Sequence, residues 1–176
     1  MPTRRQFLQA GIAGGVLLAG AGWWALRGDR RPAAGLQWLD ESSAPIVAAI
    51  VPAVLEGALP QDAAARRTAQ REVLEAFDRA IAGLAPAVQA EIAQLFSLLA
   101  MPPVRVALAG VTPPWAEATP AQAAAFLARW RESRFALLRA AGEALCQLIL
   151  AAWYGNPASW AAIGYPGPPS LGERRA

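Results

Sequence analysis

Residues 119–154, TPAQAAAFLARWRESRFALLRAAGEALCQLILAAWY, decide the fold class of this chain. Thr119 suits the N-cap of a helix and Pro120 suits its first turn. Apolar residues then recur at spacings of three and four, the period of a helix with one buried face. The predicted inward stripe is Leu127, Trp130, Leu138, Ala141, Leu145, Leu148 and Ala152. We expect one helix reaching Trp153, about 51 Å long if straight. Because a domain of this size has a radius of gyration of only about 14 Å, it should kink near Gly142 or project at one end.

The body before this helix also shows helical periodicity, and no stretch of it alternates as a strand would. Alanine supplies 43 of the 176 residues, which favours helices that approach one another closely. The other expected helices are Ser43–Leu59, Asp62–Gly83 and Pro86–Ala100. Their predicted inward residues are Ile46, Ile50, Val54, Leu55, Leu74, Phe77, Ile81, Leu84, Val88, Ile92, Leu95 and Leu99. Ser43 should be an N-cap, and Pro52 should kink the first helix.

These patterns predict an all-α protein in three segments. The expected segments are a signal and linker at 1–35, a helical bundle at 36–155, and an extended aromatic tail rich in proline and glycine at 156–176. Within the bundle, Pro102-Pro103 should end a helix, with a turn near 104–108 after it. A length of 176 residues suits one domain.

Composition narrows the chemistry that this chain can perform. All 16 basic residues are arginine, histidine and lysine are absent, and Cys146 is the one cysteine. Such a chain has no Ser-His-Asp or Cys-His nucleophilic centre. It also cannot build a zinc cage, an iron-sulfur cluster or an internal disulfide. No glycine-rich phosphate loop follows a strand, so we expect no cofactor and no metal in this chain.

The net charge of +3 is concentrated at the N-terminus. Residues 1–31 contain five arginines and one aspartate, a net of +4, whereas residues 32–176 contain 11 arginines and 12 acids, a net of −1. A nearly neutral body has no electrostatic footprint for a phosphate backbone. Nucleic acid is therefore excluded as a partner.

Each candidate catalytic group also has a structural explanation. Asp40 and Glu41 should be solvated at a helix start. Asp62 should cap a helix, and Asp78 should be at most half buried. Cys146 fits a small core residue better than a thiol nucleophile. A cluster of arginines on the long helix fits a solvated face, or a contact for an acidic patch on a partner. Its members are Arg129, Arg131, Arg134 and Arg139.

The first 35 residues are predicted to be a targeting segment. Their start resembles the twin-arginine export signal at Thr3, Arg4, Arg5, Phe7 and Leu8. Residues 6–26 carry no charge and include five glycines, as is typical of the mildly apolar run of that signal. Cleavage could follow Ala19-Gly20-Ala21, with Ala19 and Ala21 as the small residues, or Trp23 and Trp24 could hold an uncleaved anchor at the membrane interface. Either way, we expect a periplasmic protein.

The C-terminal segment concentrates large aromatics among prolines and glycines. These side chains could cover one end of the bundle. They could instead form a partner-binding arm that loses little conformational entropy on docking. The predicted interface residues are Trp153, Tyr154, Trp160, Tyr165 and Pro166.

The tail, together with the leader, resembles a known family. The motifs are Tyr154-Gly155-Asn156-Pro157, Trp160 and Ile163-Gly164-Tyr165-Pro166-Gly167-Pro168, after a long helix with Trp130 and Arg139. They look like those of the small subunit of membrane-bound gluconate 2-dehydrogenase, the subunit 3 family. In that family the small chain carries the twin-arginine signal. It accompanies a flavin-containing large subunit of the glucose-methanol-choline type, often with a cytochrome c subunit.

The resemblance implies a non-catalytic accessory subunit. It would escort an FAD-containing dehydrogenase through the twin-arginine machinery and stay bound to it in the periplasm, at the membrane. Longer members carry an extra stretch where this chain has Ala158-Ser159, so no particular substrate of the partner is implied. Two other functions fit the residues alone. One is a membrane-anchored periplasmic structural or interaction protein without a catalytic partner, and the other is an independent enzyme that uses carboxylates or arginine.

Overall fold

A computed structural model describes residues 31–160 and 163–167 of this chain. The described residues form helices and no named strand, which confirms the all-α class, and one isolated bridge pairs Pro32 with Asp40. The helices are α1 (Ala44–Val54), α2 (Ala63–Ala82), α3 (Pro86–Ala100), α4 (Pro120–Arg131), α5 (Ala136–Tyr154) and α6 (Pro157–Trp160). Shorter pieces are a single turn at Pro102–Val104, a π-helix at Arg105–Ala109 and a 3₁₀ turn at Trp115–Glu117.

Helix α1 is the centre of the bundle. Its sequence, APIVAAIVPAV, contains no charged or polar side chain, and a helix that is apolar all round is stable only when neighbours surround it. It contacts α2, α3, α4 and α5. Among its fully buried side chains are Ile46, Val47, Ile50 and Val51. Helix α5 also packs against α2 and α4.

Ser43 occupies the N-cap position of α1 as predicted, but Asp40 makes the hydrogen bonds of the turn that precedes the helix. The Ser43 side chain makes no capping bond to the helix and instead donates from Oγ to Asp40 Oδ1 at 2.8 Å. Asp40 Oδ1 also accepts the backbone N–H groups of Ser42 and Ser43, at 3.0 and 2.9 Å. Asp40 is therefore half buried rather than solvated as predicted, whereas Glu41 is exposed.

The first helix is shorter than predicted. It ends at Val54, two residues after Pro52, and not at Leu59. Pro52 has no N–H to donate to the Ala48 carbonyl, so the last turn of α1 lacks one of its hydrogen bonds. Leu55 and Leu59 remain buried beyond the end of the helix, while Val54 is only partly buried.

The predicted long helix is two helices. α4 ends at Arg131, and α5 begins at Ala136 with its axis continuing to Tyr154. The break replaces the kink that we expected at Gly142, which lies buried within α5. A Cβ at Gly142 would lie 3.4 Å from the Cβ of Trp130, an ordinary van der Waals contact, so α5 packs closely against α4 at this position.

Two further differences lie in and after α3. Val88 is exposed, although its spacing predicted an inward position. The residues expected to form a turn at 104–108 are helical instead, and Pro102–Ala109 bends by 84° from α3. Trp130 Nε1 donates to the Leu108 carbonyl at 3.0 Å and thereby joins this segment to α4.

Among the described residues, α5 is the one single helix long and apolar enough to cross a membrane by length and composition. Only 28% of the apolar 18-residue stretch of this helix is buried inside the bundle. The bent pair formed by α3 and Pro102–Ala109 meets the same criterion if it is taken as one span.

Candidate functional site

Tyr154, the last residue of α5, and the described residues after it form an aromatic unit, which we call the aromatic end. It comprises Tyr154, Trp160, Ile163, Tyr165 and Pro166. The Trp160 and Tyr165 rings meet edge to face, with centroids 5.3 Å apart and planes at 78°. Edge-to-face packing is a favoured geometry for aromatic pairs. The unit therefore presents a shaped surface rather than separate side chains.

Hydrogen bonds fix Trp160 at the centre of this unit. Its Nε1 donates to the Tyr154 carbonyl at 2.8 Å, and its own carbonyl accepts the Tyr165 N–H at 3.0 Å. Gly167 has φ of +98° and lies so close that a Cβ there would be 3.2 Å from the Trp160 ring. Only glycine combines that backbone angle with that approach without strain.

The turn between α5 and α6 ties the aromatic end to the bundle. Asn156 Nδ2 donates to Glu72 Oε2 on α2 at 2.8 Å. Ser159, which is buried, donates from Oγ to the Asn156 carbonyl at 2.8 Å. Pro157 begins α6, so part of the segment predicted to be extended is a short helix. Residues 168–176 of that predicted tail lie outside the described residues.

The five predicted interface residues differ in their exposure to solvent. Tyr154, Tyr165 and Pro166 are exposed and close in the chain to the half-buried Trp160. Trp153 is 4% exposed and packs in the core, so its side chain is not on the surface, contrary to the prediction. Ile163, at 56% exposure, belongs to the surface and was not among the predicted residues. Its place in the motif between Trp160 and Tyr165 was the available sequence signal.

A groove of about 390 Å³ adjoins the aromatic end between α2 and α5. Its polar lining includes Glu72, Glu75, Arg79 and Asn156. Carboxylates at its wall can accept hydrogen bonds from a bound segment, and the guanidinium can donate them. A second groove, of about 830 Å³, lies beside the start of α4, with Arg66 and Thr119 in its lining.

The acidic residues considered for catalysis have structural roles. Asp62 caps α2 as predicted and accepts the Ala64 and Ala65 N–H groups. Asp78, predicted to be at most half buried, is 1% exposed. Its carboxylate accepts three backbone N–H groups from residues 37–39, at 2.6, 2.9 and 2.7 Å. Burial alone would raise the pKa of Asp40, but hydrogen bonds from Ser42 and Ser43 outweigh it and lower that pKa.

Cys146 and the arginine cluster do not converge on a catalytic centre within the described residues. Burial, together with the charge of Glu143, raises the pKa of the Cys146 thiol against a smaller opposing effect of Arg131. The thiol is half buried and less reactive than an exposed one. All four arginines of the cluster are exposed. In residues 31–160 and 163–167, no three His, Cys, Asp or Glu side chains are grouped to hold a metal ion.

The export-signal residues Thr3, Arg4, Arg5, Phe7 and Leu8 and the cleavage residues Ala19 and Ala21 lie outside the described residues. Comparison of the whole chain with family models, curated proteins and solved structures finds no match.

Proposed function

We propose that this chain is a non-catalytic accessory subunit. It carries a cofactor-bearing dehydrogenase through twin-arginine export and stays bound to it in the periplasm, held at the membrane by an uncleaved leader or by the complex. The observation that supports this proposal best is the aromatic end, where Tyr154, Ile163 and Tyr165 are exposed. There the Trp160 ring packs against Tyr165 and donates to the Tyr154 carbonyl. Tyrosine and other large side chains held rigid lose little entropy when a partner covers them.

The leader supports the same proposal from the sequence. The twin-arginine pattern at residues 3–8 predicts export in the folded state, a route suited to proteins that receive a cofactor in the cytoplasm. This chain has no recognisable cofactor motif of its own. A chain without a cofactor would use this route if it is exported together with a partner that carries one. The resemblance to the gluconate 2-dehydrogenase subunit 3 family suggests the class of that partner. It is an FAD-containing oxidoreductase, with or without a cytochrome c subunit.

An export experiment tests the proposed escort. The chain is co-expressed with the flavoprotein dehydrogenase encoded nearest to it, and flavin-dependent activity is measured in periplasm and cytoplasm. Arg4→Lys with Arg5→Lys should retain the flavoprotein in the cytoplasm. Arg30→Lys with Arg31→Lys is the matched control, since this second arginine pair lies outside the signal pattern and should leave export unchanged.

A binding experiment tests the aromatic end separately. Tyr154→Ser with Tyr165→Ser should abolish co-purification of the flavoprotein while leaving the chain folded, because both side chains are exposed. Val106→Ser, at an exposed apolar residue of the π-helix, is the control and should retain the flavoprotein. A flavoprotein whose location ignores Arg4 and Arg5, and which never co-purifies, would favour the alternative of a membrane-anchored periplasmic protein without a catalytic partner.

A further inference from the structure

The break between α4 and α5 places two large apolar side chains in solvent. Leu137 is 73% exposed and Phe135 is 54% exposed. Leu137 has the highest exposure among the large hydrophobic side chains of the described residues. Arg131, Arg134 and Arg139, all exposed, flank the pair in sequence. We call these five residues the basic corner.

Local contacts give the basic corner a defined shape. Ser133 Oγ accepts the Phe135 N–H at 3.2 Å, and Arg139 Nη1 donates to the Ser133 carbonyl at 2.7 Å. The guanidinium carbon of Arg134 lies 4.8 Å from the centroid of the Phe135 ring, which is cation–π distance. These contacts hold Arg134, Phe135 and Arg139 at the turn, next in sequence to the exposed Arg131 and Leu137.

The corner is positive although the body is not. Residues 131–139 contain three arginines and Glu132, a net of +2, whereas residues 32–176 have a net charge of −1. Glu143, one turn further along α5, is also exposed, and its Oε1 accepts a hydrogen bond from Gln147 Nε2 at 2.7 Å. Arginines therefore lie on both sides of Phe135 and Leu137 in the sequence. The nearest acids are Glu132, before Arg134, and Glu143, after Arg139.

We propose that the basic corner docks on a lipid bilayer that contains anionic phospholipid. Phe135 and Leu137 insert at the level of the headgroups, and the arginines contact lipid phosphates. The corner is a helix–helix turn whose apolar side chains stand outward, and neither groove described above includes its residues. Protruding apolar side chains bordered by arginine match a bilayer interface, which offers an apolar layer beneath negative charge. The inference does not depend on the identity of any export partner.

A local probe separates this docking from membrane binding by the leader. In a Cys146→Ala background, Leu137→Cys in the full chain is labelled with an environment-sensitive fluorophore. The control label is at Ala65→Cys, an exposed residue beside the groove at the opposite end of α4. With vesicles of phosphatidylglycerol and phosphatidylcholine, emission at position 137 should shift to the blue, and emission at position 65 should not. Vesicles of phosphatidylcholine alone should give a much weaker shift at 137.

Charge substitutions then test the arginines. The triple variant Arg131→Gln, Arg134→Gln and Arg139→Gln should bind anionic vesicles with an affinity lower by on the order of 100-fold, about fivefold for each charge. The affinity is measured by titrating the label at position 137 with vesicles. Lysine at the same three positions should restore most of the shift, since it keeps the charge. Added salt should weaken the shift by screening.

Three results would overturn the proposal. The 137 label could stay in water with every vesicle, it could shift equally with phosphatidylcholine alone, or positions 65 and 137 could shift together. A label that shifts only when the co-expressed flavoprotein is added would assign the basic corner to an acidic protein surface instead.

Discussion

At the scale of single residues, Asp78 links the backbone of residues 37–39 to the bundle. Both of its carboxylate oxygens are used, Oδ2 by the Gln37 N–H and Oδ1 by the Trp38 and Leu39 N–H groups. In Asp78→Asn, one carboxylate oxygen is replaced by an NH₂ group, which cannot accept a hydrogen bond. At least one of the three backbone N–H groups then loses its acceptor. Because the site is buried, we expect the free energy of unfolding in urea to fall by about 3 kcal/mol.

Asp62 provides the matched control for that substitution. Its carboxylate also accepts backbone N–H groups, two instead of three, but Asp62 is exposed, and asparagine caps helices as well as aspartate does. Asp62→Asn should change the free energy of unfolding by less than about 0.5 kcal/mol. Equal losses at the two positions would mean that burial of the Asp78 carboxylate contributes nothing.

Asp40 predicts a pH dependence of stability. Burial would raise its pKa, but the hydrogen bonds from Ser42 and Ser43 lower it below 3.8 in the folded state. The folded state therefore gains from the ionised form at pH values above 3.8, and that gain is lost as the pH falls through the folded pKa. Asp40→Asn should be less stable than the unmodified chain at pH 7. The difference between their free energies of unfolding should shrink as the pH is lowered below 3.8. A difference that is constant with pH would contradict this assignment.

At the scale of helices, Gly142 lies where α5 packs against Trp130 of α4. A Cβ there would lie 3.4 Å from Trp130 Cβ, an ordinary contact, and α5 runs through this position without interruption. Gly142→Ala should therefore raise the free energy of unfolding by up to about 1 kcal/mol, through higher helix propensity. Gly142→Leu should lower it by about 1–3 kcal/mol, because its branches would push against the Trp130 ring. Thermal unfolding of both variants checks the pair. A loss of stability in the alanine variant would show that the helices are already in contact at their limit.

Local signals predicted helix starts better than helix breaks. Thr119 with Gln122 forms a capping box, and Asp62 and Pro86 begin helices where the sequence placed them. At the break after Arg131, Ser133 accepts hydrogen bonds from the Phe135 N–H and from Arg139, and a periodic apolar stripe does not reveal such bonds. The apolar stripe runs across the break, so the sequence alone indicated one helix.

Burial set by distant partners was the other property that the sequence hid. The sequence around Asp78 is compatible with a solvent-facing position on α2. The backbone groups that it binds lie about 40 residues earlier in the chain. Trp153 was correctly placed at the end of a helix, but its burial depends on packing within the core. The aromatic end was found because its residues are neighbours in sequence. The sequence predicted only the arginines of the basic corner, since Phe135 lies in the middle of the one long helix that was expected.

At the scale of the whole molecule, α5 separates the two proposed surfaces. The basic corner lies at its first turn, and the aromatic end follows its last turn. A helix of 19 residues is about 28 Å long, so a protein bound at one end and a bilayer at the other need not collide. The arrangement would let this chain bridge an exported enzyme and the membrane that it works beside.

Independent occupancy of the two surfaces is therefore the expected behaviour. Tyr154→Ser with Tyr165→Ser should lose the flavoprotein but keep the blue shift of the label at position 137 with anionic vesicles. The triple arginine-to-glutamine variant should lose the shift but still co-purify the flavoprotein. Flotation of the unmodified chain with flavoprotein and vesicles together should bring all three into one fraction, because neither ligand covers the other's residues. Mutual exclusion in that flotation would mean that the flavoprotein extends over the whole length of α5, and a bridging role would then be wrong.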